Sequence, residues 1–316
     1  MQSPQLLANL EWVKSEHGSR LLELSENMLA DWWRRHNEVP DYLYHYTHAE
    51  GLLGILRTQT FRATHALYLN DPTELMHAHE LIKEEVGPRI KRERDPIIKD
   101  LLRRVYHAID PSVGSQHYFL TCFCRAGDRL SQWRAYTDRG GGYALGISAP
   151  QVLYMTKESP DLALRRVIYD HDQQRGLVRT ILDRAISLLS DTTNGLTPEQ
   201  ASPTARIFGL FLADHLAEFH FSFKNQAFQE EEEWRVIHMT SIDDNEVGRL
   251  QFRALSGHLV PYVEVKLHAE ARRLPLEKVM YGPTLRRERT ERSLQWLLKK
   301  HGYPHASVEG SIVPLQ

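Results

Sequence analysis

Nine short runs rich in aromatic and β-branched residues, unevenly separated by helical stretches, constrain this chain more than any other feature. They read "DYLYHYT", "TFRATHALYL", "HYFLTCFC", "YALGIS", "ALRRVIYD", "EEWRVIHM", "YVEVKL", "LEKVMYG" and "ASVEGSIV". Strands interrupted by helical insertions of unequal length indicate an α+β fold with a mixed, mainly antiparallel sheet.

The helical stretches carry their own punctuation. Apolar residues recur at helical spacing from Pro4 to His36, with Gly18 as a break and Pro40 as the close. This predicts an N-terminal helical segment over 1–40 and one α+β domain over 41–316. Thr47 and Glu50 have the spacing of a capping box for "HAEGLLGILRTQ". In "NDPTELMHAHELIKEEV", Asp71 reads as N-cap, Pro72 as first turn and Glu74 as box partner. That helical insertion runs through about 74–108. A second is expected near 173–223, interrupted by the polar stretch "SDTTNGLTPEQASPT". "TLRRERTERSLQWLLKKHG" forms a last helix ended by Gly302.

Composition narrows the function classes. A formal net charge of -2 and a pI near 6.8 lack the basic footprint of a DNA-coating protein. No apolar stretch approaches the ~20 residues that span a bilayer, and the start lacks the regions of a secretory signal. Cys122 and Cys124 lie two apart on one strand face, poorly placed to bridge each other. A cytoplasmic protein with reduced thiols and no membrane contact is expected. No metal is expected either: the 17 histidines form no HExxH, and cysteine pairs of zinc type are missing. There is no Gly-x-Ser-x-Gly elbow and no Gly-Lys-Ser/Thr phosphate loop.

Several chemistry-bearing residues have two readings. His45 is either a hydrogen-bonded core histidine or a ligand-holding one at a strand-to-helix corner. Glu233 either pairs with Arg235 or acts on a substrate, and Glu231 would share its strand face. Trp133 and Tyr136 sit at helical spacing as core or as a cofactor wall. Asn70, Asp71 and Glu74 read first as caps, and Gly140 to Gly142 first as a hairpin turn.

Four stretches in order, "LYHYTHAEGLLGIL" with "LNDPTE", "CFCRAGDRLSQWRAYTDRGGGYALGI", "FKNQAFQEEEEWRVI", and "VMYGP" with "SIVPL", resemble a bacterial family known as domain of unknown function 2971. The resemblance spans about Tyr42 to Leu315. A strand ending in His, a capped helix directly after it and a late Glu-x-Glu strand also look like the ADP-ribosyltransferase fold, with its split sheet. That second resemblance implies NAD as substrate and no metal. It implies His45, Tyr46 and Thr47 at the NAD ribose, and Ser131, Trp133 and Tyr136 along the nicotinamide pocket. Glu233 and Glu231 would be the catalytic carboxylates. The match of the middle segment is by position only. The implied activity is transfer of ADP-ribose to a protein or nucleic-acid acceptor, or NAD hydrolysis, in a toxin or defence role. An antitoxin or immunity protein is then a possible partner. Two alternatives stand beside it: an RNA 2′-phosphotransferase-like enzyme, with Arg62, Arg125 and Arg134 available as a phosphate cradle, and a non-catalytic nucleotide- or protein-binding domain.

Overall fold

The computed structural model describes residues 38–69, 73–110, 116–137, 141–241, 247–255, 257–268, 273–284 and 286–314, with single positions 18, 19 and 23. The expected N-terminal helices, the cap at Asn70 to Pro72 and the glycine at 140 lie outside the described residues.

Among those residues the strands are β1 (Tyr42–Thr47), β2 (Phe61–His65), β3 (Gln116–Cys124), β4 (Tyr143–Ser148), β5 (Leu162–Arg166), β6 (Glu233–Ser241), β7 (Gln251–Leu255), β8 (His258–Val265), β9 (Leu276–Tyr281) and β10 (Ser307–Gly310). The helices are α1 (Ala49–Thr58), α2 (Thr73–Arg92), α3 (Pro96–Ala108), α4 (Leu130–Tyr136), α5 (Ala149–Glu158), α6 (His171–Thr192), α7 (Pro198–Ala217) and α8 (Arg287–Lys300).

The chain divides into two compact units, and all the strands fall in the one built from 39–70, 115–167 and 227–316. They form one open sheet in the order β10-β9-β4-β1-β3-β2-β8-β7, with β6 joined to β3 and β5 to β6. Every pairing is antiparallel except β9 with β10. This is a mixed architecture with a mainly antiparallel sheet.

The sheet forks at β3. One edge of β3 is filled by β6 along its whole length, from Gln116↔Ser241 to Cys124↔Glu233. The other edge is shared: Tyr44 of β1 pairs with Cys124, while Thr64 and His65 of β2 pair with Leu120 and Phe119. Thr121, Cys122 and Phe123 lie in the fork between them.

Period-two alternation sends two sets of side chains to opposite faces. Leu43, Phe61, Phe119, Phe123, Leu145, Trp234, Val236 and Val279 form the larger core, closed by Leu52 and Leu56 of α1 and Leu294 and Leu298 of α8. Tyr46, Cys124, Trp133, Ala144 and Met280 form a smaller one on the other face.

The second unit contains α2, α3, α6 and α7, drawn from 71–114 and 168–226. The two helical insertions expected from the sequence therefore pack on each other. Ala78, Ile82, Leu101, Val105, Val178, Leu182, Phe208 and Leu212 make their shared core.

One local expectation is corrected, one is narrowed, and two elements are new. α1 is capped by His48, not Thr47: His48 is extended, and its Nδ1 accepts from Gly51 N–H at 2.9 Å. A neutral imidazole nitrogen can fill the role that the Ser/Thr preference assigned to the preceding residue. The expected interruption falls between α6 and α7, and the end of that polar stretch, "TPEQASPT", already starts α7, because Thr197 and Gln200 form a capping box and Pro198 opens the first turn. β7 and α5 were not expected at all. Four of β7's five residues are exposed, so it has no buried stripe to betray it.

Candidate functional site

The fork in the sheet opens into a small cavity lined by Tyr44, His45, Tyr46, Cys122, Phe123, Cys124, Gln132, Tyr136, Glu231 and Glu233. His45, Tyr46, Tyr136, Glu231 and Glu233 of the expected residues are here. Thr47, Ser131 and Trp133 are not in the wall.

His45 occupies the fork itself. Its ring lies edge-on to Phe61 and Phe123, with centroids 5.2 and 5.7 Å away. Cys122 sits where neither β1 nor β2 pairs with β3, and its carbonyl meets His45 Nδ1 at 3.0 Å. A carbonyl only accepts, so Nδ1 carries the proton. Burial holds the His45 pKa below the usual histidine range, the Cys122 carbonyl opposes this, and the positive charge of Arg253 adds to the lowering. The ring is thus neutral at pH 7. Among the described residues Nε2 has no hydrogen-bond partner. It offers a lone pair to a hydroxyl or N–H donor.

Glu233 opens β6 opposite Cys124, and its side chain is almost fully buried. Arg235 grips it in a two-pronged pair, Nε to Oε1 at 2.8 Å and Nη2 to Oε2 at 2.9 Å. Such a fork fixes the carboxylate plane. Trp234 and Val236 point into the core on the other face, as alternation requires. Strand alternation alone puts His45 on the Leu43 face and Glu233 on the Cys124 face. They border one cavity only because the sheet is split between them.

Glu231 reaches the cavity by another route than expected. It ends a 3₁₀ turn, Gln226–Glu231, and does not share a strand face with Glu233. Glu232 between them has φ +41°, a conformation uncommon outside glycine, which breaks the alternation. Arg129 holds this turn, with its guanidinium on the Glu232 carboxylate and the Glu230 carbonyl. Arg125 N–H donates to the Glu232 carbonyl at 3.1 Å.

The wall behind the cavity is built from Tyr46 and α4. Tyr46 hydroxyl donates to Ala126 O at 2.9 Å and accepts from Arg129 N–H at 3.1 Å, and burial pushes its phenol pKa well up. Trp133 is completely buried edge-on to Tyr46, centroids 4.7 Å apart, and its Nε1 donates to Asp128 at 2.7 Å. It supports the wall from behind. The Ser131 hydroxyl is buried without a hydrogen-bond partner among the described residues. Thr47 closes β1 with its Oγ1 against α1, where a Cβ on Gly51 would fall 2.0 Å from it. A side chain at position 51 would force that oxygen to shift.

Sequence reasoning missed two residues of the site. Gln132 is 6% exposed and lines the cavity, and among the described residues its amide makes no hydrogen bond. Arg129 positions Glu231. Both lie in "GDRLSQW", where only the serine and the tryptophan drew notice. Of the thiols, burial pushes Cys124 up to about 11, so it is unreactive near neutrality. Cys122 borders the cavity. Among the described residues no group of three His, Cys, Asp or Glu could hold a metal, and no helix is long and apolar enough to cross a membrane.

Residues 132–236 match a family described as "Protein of unknown function (DUF2971)". The match runs from Gln132 to Val236, about a third of the chain. It takes in Gln132, Tyr136, Glu231 and Glu233 of the cavity wall, and the helices α6 and α7 between them. No curated protein and no solved structure matches the chain.

Proposed function

We propose that the cavity binds the nicotinamide riboside end of NAD and that the chain cleaves the nicotinamide–ribose bond. ADP-ribose passes to a macromolecular acceptor or to water. The observation that carries this reading is the convergence of His45, Tyr46, Tyr136, Glu231 and Glu233, expected together from an ADP-ribosyltransferase likeness, on one small cleft in a forked sheet.

The chemistry follows from the residue types. His45 Nε2 accepts from a ribose hydroxyl and so fixes the sugar. The bond from C1′ to the pyridinium nitrogen breaks, and its electron pair leaves with neutral nicotinamide. The sugar becomes oxocarbenium-like, as in glycoside hydrolysis. Glu233, its plane set by Arg235, stabilises that charge in a site with little water. Glu231, at the cavity edge, accepts the proton of the O–H or N–H nucleophile that bonds to C1′. Tyr136, partly exposed at the rim, stacks on the nicotinamide ring.

Incubation with NAD, with and without cell lysate, and measurement of free nicotinamide test the proposal. Release by the wild type and a fall of about 100-fold in Glu233→Gln, on the scale of losing one stabilising group, are expected. No release, or equal release by the variant, overturns it.

One observation favours a second reading. The Glu233 carboxylate is already gripped on both oxygens by Arg235, which suits a domain that binds a nucleotide without turning it over. Stabilisation of the fold by NAD or ADP-ribose without any nicotinamide release would select that reading.

A further inference from the structure

We propose that Arg62 and Arg253 form an anion site, and that it takes the diphosphate of the ligand whose ribose sits in the cleft. The existence of the site stands on its own geometry; the identity of the diphosphate rests on the function proposed above.

The registers place both arginines on the cleft's own side of the sheet. Thr64 pairs with Leu120, which shares a face with Cys122 and Cys124. Thr64 also pairs with Tyr262, and Tyr262 with Gln251, so Arg62 and Arg253 lie on that same face, two residues to either side of this row, opposite Glu264 and Val260. Arg253 Nη2 donates to Thr64 Oγ1 at 3.1 Å, so its guanidinium extends from β7 across β8 to β2. Arg62 lies over the Tyr262 ring, 5.0 Å from the centroid. Thr64 is one strand and two residues from Cys122, about 5 Å across and about 7 Å along. A single extended ligand can span that step.

What marks the pair is its unmet bonding. Among the described residues the buried Arg253 Nε has no hydrogen-bond partner. Among the described residues neither arginine forms an ion pair. Glu264, directly opposite Arg62 on β8, makes none either. The two guanidinium groups meet on one cross-strand pair: Arg253 bonds Thr64, and Arg62 lies over Tyr262, the partner of Thr64; burial first, and the charge of Arg62 second, hold Arg253 below the usual arginine range. Its charge is also felt at His45. Two neighbouring cations with an idle buried donor are unfavourable until an anion fills the space between them. A diphosphate supplies several strong acceptor oxygens and the opposite charge, and its geometry suits planar guanidinium forks.

Calorimetric titration of the full chain with sodium pyrophosphate, ADP-ribose and nicotinamide, each alone at low salt, tests the site. The wild type should bind pyrophosphate, and bind ADP-ribose more tightly. Arg253→Gln should weaken both about tenfold, with nicotinamide affinity within twofold of wild type. Arg62→Gln, at an exposed position, should do the same and removes any doubt over folding, which a thermal melt monitors for both. Failure of the wild type to bind pyrophosphate, or unchanged pyrophosphate affinity in a folded Arg62→Gln, overturns the site. Equal affinity for pyrophosphate and ADP-ribose overturns the span from cleft to arginines. The two proposals separate cleanly. Arginine-dependent pyrophosphate binding without nicotinamide release keeps the anion site and sinks the enzyme. Nicotinamide release without pyrophosphate binding does the reverse.

Discussion

His45 in the sheet and His220 in the helical unit use the same chemistry to opposite ends. Each anchors Nδ1 on a backbone carbonyl at 3.0 Å, Cys122 in one case and Ala217 in the other. Each has a pKa lowered mainly by burial, His220 down to about 4. The difference lies at the other nitrogen. His220 is completely buried, its Nε2 sealed and without a hydrogen-bond partner among the described residues, 6.0 Å centroid to centroid from the ring of His79. His45 stands in a cleft beside a buried amide and two carboxylates. A neutral histidine is therefore a structural cost in one place and a ligand-ready acceptor in the other. The surroundings, not the residue type, decide which.

The comparison can be broken hardest from behind the cleft. Trp133→Ala removes a fully buried indole that props Tyr46. A loss of about 3–5 kcal/mol in urea unfolding is expected, with nicotinamide release lost as the wall collapses. Retained stability would mean that the wall does not depend on the indole.

The two histidines themselves come next. His45→Phe keeps ring contact with Phe61 and Phe123 but removes both nitrogens. Nicotinamide release should drop about 100-fold, equivalent to about 2.7 kcal/mol. His220→Phe should leave release within about threefold. Equal effects in the two variants would erase the distinction drawn here.

A smaller effect concerns acid. A folded-state pKa of about 4 for His220 lies below the unfolded value of about 6.5. The unfolded chain then binds more protons between those values, so this contribution to stability is present above about pH 6.5 and lost as pH falls towards 4. At pH 5 the loss relative to pH 7.5 is about 2 kcal/mol. Chemical denaturation at both pH values should show it, and His220→Phe should abolish that part of the slope.

The smallest effect involves a third histidine. His48 accepts a hydrogen bond through Nδ1 instead of donating one. His48→Ala should cost about 1 kcal/mol, as the loss of a helix cap does, without changing nicotinamide release.

The sequence made the corner from β1 to α1 legible, along with the β6 strand and the end of α8. Gly302, at φ +82°, sits just past the last turn, and the N–H of Tyr303 closes on the Leu298 carbonyl. These signals are local. Apolar period, a cap and a left-handed glycine need only neighbours in the chain. β7 escaped because an exposed edge strand has no alternating burial. The Thr47 cap was misassigned because propensity ranks hydroxyls above imidazoles. Glu231 was misplaced because one left-handed residue, Glu232, breaks the strand that regular spacing implies.

The residue types for the cleft, an imidazole early and carboxylates late, are written in the chain and were picked out there. Their meeting is not. It follows from the register of β1, β2 and β6 on β3, and from a fork that brings His45 onto the Cys122 carbonyl. Strand pairing between residues from about fifty to more than a hundred positions apart is selected by the sum of the whole packing. Local preference decided which pieces form; the balance of long-range contacts decided which side chains share a hollow.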